Sequence, residues 1–161
     1  MHLPRPISDP AKIASDVLRR LFEYWLTKKA DRAAPTRADI SPRELKFALP
    51  WFWMWDVVDG GEDFGFRLAG ERIKTFMGDL AKAQRLSDFP QSDFTDEVRY
   101  VFSECVKTRM PLIVGPARTL YAPRNYRVVT NLVMPLSENG RDVSMLIGAT
   151  EVEEKPALER A

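Results

Sequence analysis

The chain has 161 residues, 45% of them hydrophobic and 29% charged, with 24 Lys plus Arg against 23 Asp plus Glu. That length suits one domain with a core of its own, and the near-balance of charge gives no overall pull toward nucleic acid or anionic lipid. A single cysteine excludes an intrachain disulfide and fits a reducing, cytoplasmic setting, and no apolar run reaches the length of a membrane span.

Residues 1–8 carry two prolines and no periodicity, and read as a flexible tail. Asp9-Pro10 predicts a helix start, an N-cap acceptor followed by proline at the first helical position. From there Ile13, Val17, Leu21 and Trp25 recur at helical spacing, and Leu18, Phe22 and Leu26 widen the stripe. A helix this amphipathic must dock on something, so residues 9–48 are expected to pack on a sheet or a dimer face. Ser41-Pro42-Arg43-Glu44 reads as a capping box ahead of a short helix that Pro50 stops.

Next comes a strand in which Trp51, Trp53, Trp55 and Val57 alternate with Phe52 and Met54. Both faces are apolar, so the strand should be covered on both sides, by the first helix or by a partner. Leu21, Trp25, Trp53 and Trp55 are therefore candidates for a dimer or partner face. Asp59-Gly60-Gly61 supplies a hairpin turn. On the return strand Phe64, Phe66 and Leu68 share one face, and Gly65, Arg67 and Ala69 the other. Arg67 between small residues needs a partner, which makes it a candidate polar anchor for a ligand, with a salt bridge as the plain alternative.

Residues 71–77 predict a short helix closed by Gly78. Asp93 can cap a longer one whose stripe runs through Phe94, Val98, Val101, Phe102, Cys105 and Val106, ended by Pro111. Three strand-like runs follow, 112–121, 126–136 and 143–152, with a turn at Asn139-Gly140. Residues 153–161 read as a second flexible tail. The order is α, β-β-α, loop, α-β-β-β.

That order carries local wording with it. Tyr24-Trp25, Pro35-x-Arg37-x-Asp39-Ile40-x-Pro42, Leu49-Pro50 and Phe66-Arg67-x-Ala69-Gly70-x-x-Ile73 before Gly78 resemble a bacterial, alphaproteobacterial-type family of stand-alone PAS-like domains. The resemblance implies an α+β fold, a five-stranded antiparallel sheet with helices on one face, here over residues 49–152 and preceded by the amphipathic helix. It also implies a sensory or protein-interaction module rather than an enzyme, acting by small-ligand sensing or by docking, as a homodimer, with output through a separate signalling partner. One departure is Ala81-Lys82-Ala83, where similar sequences often carry another glycine.

A cavity of that fold would draw its walls from Phe64, Phe66 and Leu68 on the return strand and Ile73, Phe76 and Met77 on the short helix. Phe102, Tyr121, Thr130 and Met134 are further candidates. Such a lining is mostly apolar, as small-molecule sites are. Hydrolase chemistry fails on inventory, since His2 is the only histidine and sits in the tail, outside the domain. A haem or flavin sensor, or an enzyme using the pocket, is the alternative reading, but haem would lack its usual histidine. Cys105 lies on a core stripe rather than in the context of a photoreactive cysteine. The sequence names no cofactor, and it predicts neither a nucleic-acid partner nor membrane insertion.

Overall fold

The computed structural model of the chain describes residues 2–78, 82, 84–118 and 127–154. Tyr121, the tail beyond residue 154 and most of the departure at 81–83 lie outside them. Asp9 does cap a turn, accepting from the Ala11 N–H at 3.0 Å, but that 3-10 turn ends at Lys12 and Ile13 is extended. The helix proper, α1, spans Asp16–Lys29. Ser15 starts it, accepting from the Leu18 N–H at 3.2 Å while its hydroxyl donates to the Glu151 carboxylate. The break frees Ile13 to enter the core instead of lying along a helix.

Residues 1–8 are not loose throughout. Arg5–Pro6 forms a short strand, β1, antiparallel to β4 (Leu112–Arg118), and Ile7 donates its N–H to Pro111 O at 3.1 Å. Proline can occupy this place because an edge strand has one side without a ladder. The hairpin pairs β2 (Phe52–Val58) with β3 (Asp63–Ala69), and Asp59, Gly60 and Gly61 all take positive φ in its turn. Helix α2 (Glu71–Met77) follows, then α3 (Asp93–Thr108), capped by Ser92 rather than Asp93 through a reciprocal pair with Thr95. The remaining strands are β5 (Arg127–Leu136) and β6 (Met145–Glu154).

Among the described residues the sheet has six strands in the order β1-β4-β5-β6-β2-β3, all pairs antiparallel. The five expected strands are present and β1 extends the edge. Alternation sends Phe52, Met54, Leu132, Met134, Ile147 and Ala149 to one face, where Leu18, Leu21, Phe22 and Trp25 of α1 cover them. Trp53, Trp55, Val133 and Leu146 point to the other, under α2 and α3. The helices expected on one face are α2 and α3, and α1 is the second cover.

A bulge changes β3. Trp53 pairs with Ala69 and Met54 with Leu68, but Trp55 pairs with Phe66, so Arg67 is an extra residue. Leu68 is thereby turned onto the α1 face, opposite Phe64 and Phe66. Strict period-2 reading could not anticipate the inserted residue.

Candidate functional site

Between the sheet and its α2/α3 cover lies a cavity of about 140 Å³. Trp53 and Trp55 of β2 and Val133 of β5 form its floor, Ile73 and Met77 of α2 one wall, and Val101 and Phe102 of α3 another. Leu86 and Phe89 close a further side. Segment 84–89 is held along the free edge of β3, where Phe66 donates its N–H to Gln84 O at 2.7 Å and Gly65 bridges to Arg85. Aromatic edges lock the floor: Trp55 stands edge-on to Phe66 at 5.4 Å and to Phe102 at 5.7 Å, and Phe64 supports Phe102 from behind at 5.2 Å. A volume near 150 Å³ is what one benzene ring fills.

Polar atoms are few and organised. The Trp53 indole N–H donates to Thr150 Oγ1 at 3.1 Å, and the Thr150 hydroxyl donates to Asn131 Oδ1. Asn131 and Thr150 both line the cavity. At the outer side stand His2, Glu97 and Arg118. The His2 backbone N–H donates to Glu97 Oε1 at 2.7 Å, with its Nδ1 3.5 Å from the same oxygen. His2 therefore belongs to the site and not to a detached tail, because β1 carries the first residues across the β4 edge to α3.

Of the residues singled out in the sequence, Phe66, Ile73, Phe76, Met77 and Phe102 come together around the cavity. Phe64 is fully buried one layer behind them. Leu68 faces away through the bulge. Thr130 and Met134 are on the wrong parity of β5, whose odd residues Val129, Asn131 and Val133 line the cavity. Both faces of β5 are apolar, so hydrophobicity alone could not tell them apart. Arg67 is corrected as well: its side chain is 59% exposed on the bulge and pairs with Asp56 at 3.5 Å, a surface ion pair and not a ligand anchor.

The proposed dimer or partner face does not exist as a face. Leu21 is 0%, Trp25 2%, Trp53 6% and Trp55 6% exposed, and the two pairs lie on opposite sides of the sheet. Intramolecular cover consumed the apolar surface that suggested a partner. Sequence reasoning missed Asn131, Thr150 and Glu97; a polar residue breaking an apolar strand, as Asn131 does in VVTNLVM, was the available signal.

Residues 13–151 match the family profile described as a PAS domain. The chain belongs to the PAS domain family. Among solved structures, the light-state structure of the blue-light photoreceptor Aureochrome1 LOV is similar at 11% identity and a TM-score of 0.41, covering 74% of this chain and 92% of that one. No curated protein matches.

The volume of this PAS cavity, about 140 Å³ between the described residues, matches one ring rather than a macrocycle or three fused rings. Cys105 is not among the lining residues; its thiol donates to Met110 O at 3.4 Å, and burial pushes its pKa up, away from reactive thiolate. Among the described residues no helix is long and apolar enough to cross a membrane, and no cluster of His, Cys, Asp and Glu could hold a metal ion.

One carboxylate braces the PAS cavity from outside. Asp63 accepts from the Ser87 hydroxyl at 2.6 Å and the Phe64 N–H at 2.9 Å, and lies 3.5 Å from Arg99 of α3. It thus ties β3 to the Leu86–Phe89 wall and to α3. Burial raises its pKa, but the Ser87 and Phe64 donors and the Arg99 charge outweigh that and hold it below the ordinary value. A lowered folded pKa gives stability that is present above the unfolded value, about 4, and lost as pH falls through the folded one. Asp63→Ala should therefore cost about 1–2 kcal/mol at pH 7. In urea unfolding the gap from the parent should narrow progressively as pH falls below about 4. A pH-independent gap would show that the carboxylate's charge plays no part.

Proposed function

We infer that this PAS domain is a non-enzymatic sensory module that binds a small ligand in the cavity and passes its state to a separate signalling protein, or to a second copy of the chain, in the cytoplasm. The observation that carries the reading is the aromatic cavity with a short internal polar chain, beside which one segment reaches both layers of the fold. Residues 2–7 touch the cavity at His2, add β1 to the sheet edge, and place Ile7 in the core beneath α1.

A ligand that needs the space beside Glu97 displaces His2 and alters the β1 pairing, and the change reaches α1 through Ile7 and the 10–12 turn. Such coupling requires only that the ligand prefer one arrangement over the other. The outer side of α1, with Arg19, Arg20, Glu23 and Lys28, is polar and suited to a transient contact rather than an obligate one.

Native mass spectrometry of protein isolated from its own host, with an absorbance scan of the same sample, tests this. The expected result is a colourless protein carrying a discrete small added mass. A coloured protein would favour a bound chromophore. A clean apo mass would overturn ligand sensing in favour of partner docking alone.

A further inference from the structure

We propose that the cavity selects a compact molecule of one ring that carries a neutral hydrogen-bond acceptor, a carbonyl or ring nitrogen, and that the Asn131 side-chain amide donates to it. This rests on the ligand-sensing reading and adds the chemical class.

The argument begins with Trp53. Its indole N–H can only donate, and it donates to Thr150 Oγ1. The Thr150 oxygen is then occupied as an acceptor from that side, and its own proton needs an acceptor, which Asn131 Oδ1 provides. Turning the Asn131 amide over would point an N–H at Thr150 Oγ1 and take away Oδ1, the acceptor that the Thr150 proton uses. The chain therefore fixes the orientation: Oδ1 toward Thr150 and Nδ2 away from it. Among the described residues no protein acceptor meets Nδ2, although Asn131 lines the cavity.

Asn131 is half-buried at the cavity wall, so a ligand that fills the cavity takes solvent away from Nδ2 and must accept its hydrogen bond in turn or leave the donor unpaired at a cost. The walls decide the rest. Trp53, Trp55, Phe66 and Phe102 present ring faces and edges, and the volume of about 140 Å³ admits one ring with a short substituent. No side chain of the floor offers a charge to an anion or a cation: Glu97 and Arg118 stand at the outer side with His2. A ligand that only donates hydrogen bonds would meet Nδ2 donor to donor.

The probes are acetophenone and α-methylstyrene, which share ring and shape and differ by C=O against C=CH2. Binding to the full chain is measured by two-dimensional 15N NMR titration, which also reads the Asn131 side-chain NH2 signals. Acetophenone is expected to bind about tenfold more tightly than α-methylstyrene and to move those signals downfield. Asn131→Leu should abolish the preference while leaving α-methylstyrene bound. Thr150→Val, which releases the amide from its fixed orientation, should reduce the preference with Asn131 still present.

Equal binding of the two probes by the parent chain would overturn acceptor recognition and leave a sensing cavity standing. A preference surviving in Asn131→Leu would overturn the role given to Asn131. If neither probe binds, this assignment falls, while the ligand-sensing reading is decided separately by the native mass of the isolated protein. An Asn131→Leu chain that does not fold leaves the decision to the parent's two affinities, the NH2 signals and Thr150→Val.

Discussion

Phe22→Ala is expected to lower the stability of the fold by about 3–5 kcal/mol, the range for deleting a buried aromatic ring. Phe22 is 0% exposed at the centre of the α1 layer, stacked on Trp25 at a centroid distance of 6.2 Å. The cost depends on whether the site can collapse, and here it cannot do so freely. Trp25 is pinned by its indole N–H to Pro135 O at 2.9 Å, and Ser15 fixes the start of the helix to Glu151. The space left by the ring stays open. For a chain of this size the melting temperature should fall by about 10 °C. Urea denaturation should show a lower midpoint with an unchanged slope, since the surface exposed on unfolding hardly alters. Because Phe22 lies across the sheet from the cavity, the folded fraction should still bind acetophenone. A loss below about 1 kcal/mol would mean that α1 is a peripheral attachment rather than the second cover of the sheet.

That double cover was legible from the alternating run FWMWDVV, apolar on both faces, and the structure places α1 on one of them. The PAS order of elements was legible as well, because each helix stripe and each turn signal at Asp59-Gly60-Gly61 and Asn139-Gly140 is local. The wording that carried the resemblance turns out to secure the connector from α1 to the sheet. Tyr24 accepts the Ser41 N–H at 2.9 Å, Arg37 donates to Ile40 O at 3.1 Å, and Asp39 receives Thr36 and Arg32. What could not be read is whatever depends on register across strands. The bulge at Arg67, the parity of β5, the pairing of β1 with β4 and the polar chain from Trp53 to Asn131 all join residues far apart in sequence. An apolar strand with both faces covered carries no mark of which face holds the cavity, so Thr130 and Met134 were as plausible as Asn131 and Val133. For the four residues expected at a dimer face the sequence left two covers open, the first helix or a partner, and in the structure the chain itself supplies the cover.

Gly148→Ala is expected to be the most damaging one-carbon change near the cavity. Gly148 lies mid-strand in β6, opposite Trp53 on one side and Val133 on the other. A Cβ there would lie 2.0 Å from Leu132 O and 2.6 and 2.7 Å from Cζ2 and Cη2 of Trp53. The carbonyl belongs to the backbone of a central strand and cannot swing aside, so β5 must shift, and the indole must lift off the sheet. Overpacking of this kind costs about 1–3 kcal/mol, and the close backbone contact puts the expectation at the upper end. The functional consequence is separable from the loss of stability. Lifting Trp53 takes its N–H from Thr150, releases the fixed orientation of the Asn131 amide and intrudes on the cavity floor, so acetophenone affinity should fall at least tenfold in the folded protein. Trp53→Phe removes the two clashing ring atoms, and a double-mutant cycle with Gly148→Ala should therefore be non-additive, the pair less destabilised than the sum of its members. Strict additivity would place the whole strain on Leu132 and β5, and would mean that the bare strand at Gly148 serves sheet pairing alone rather than the seating of the tryptophan.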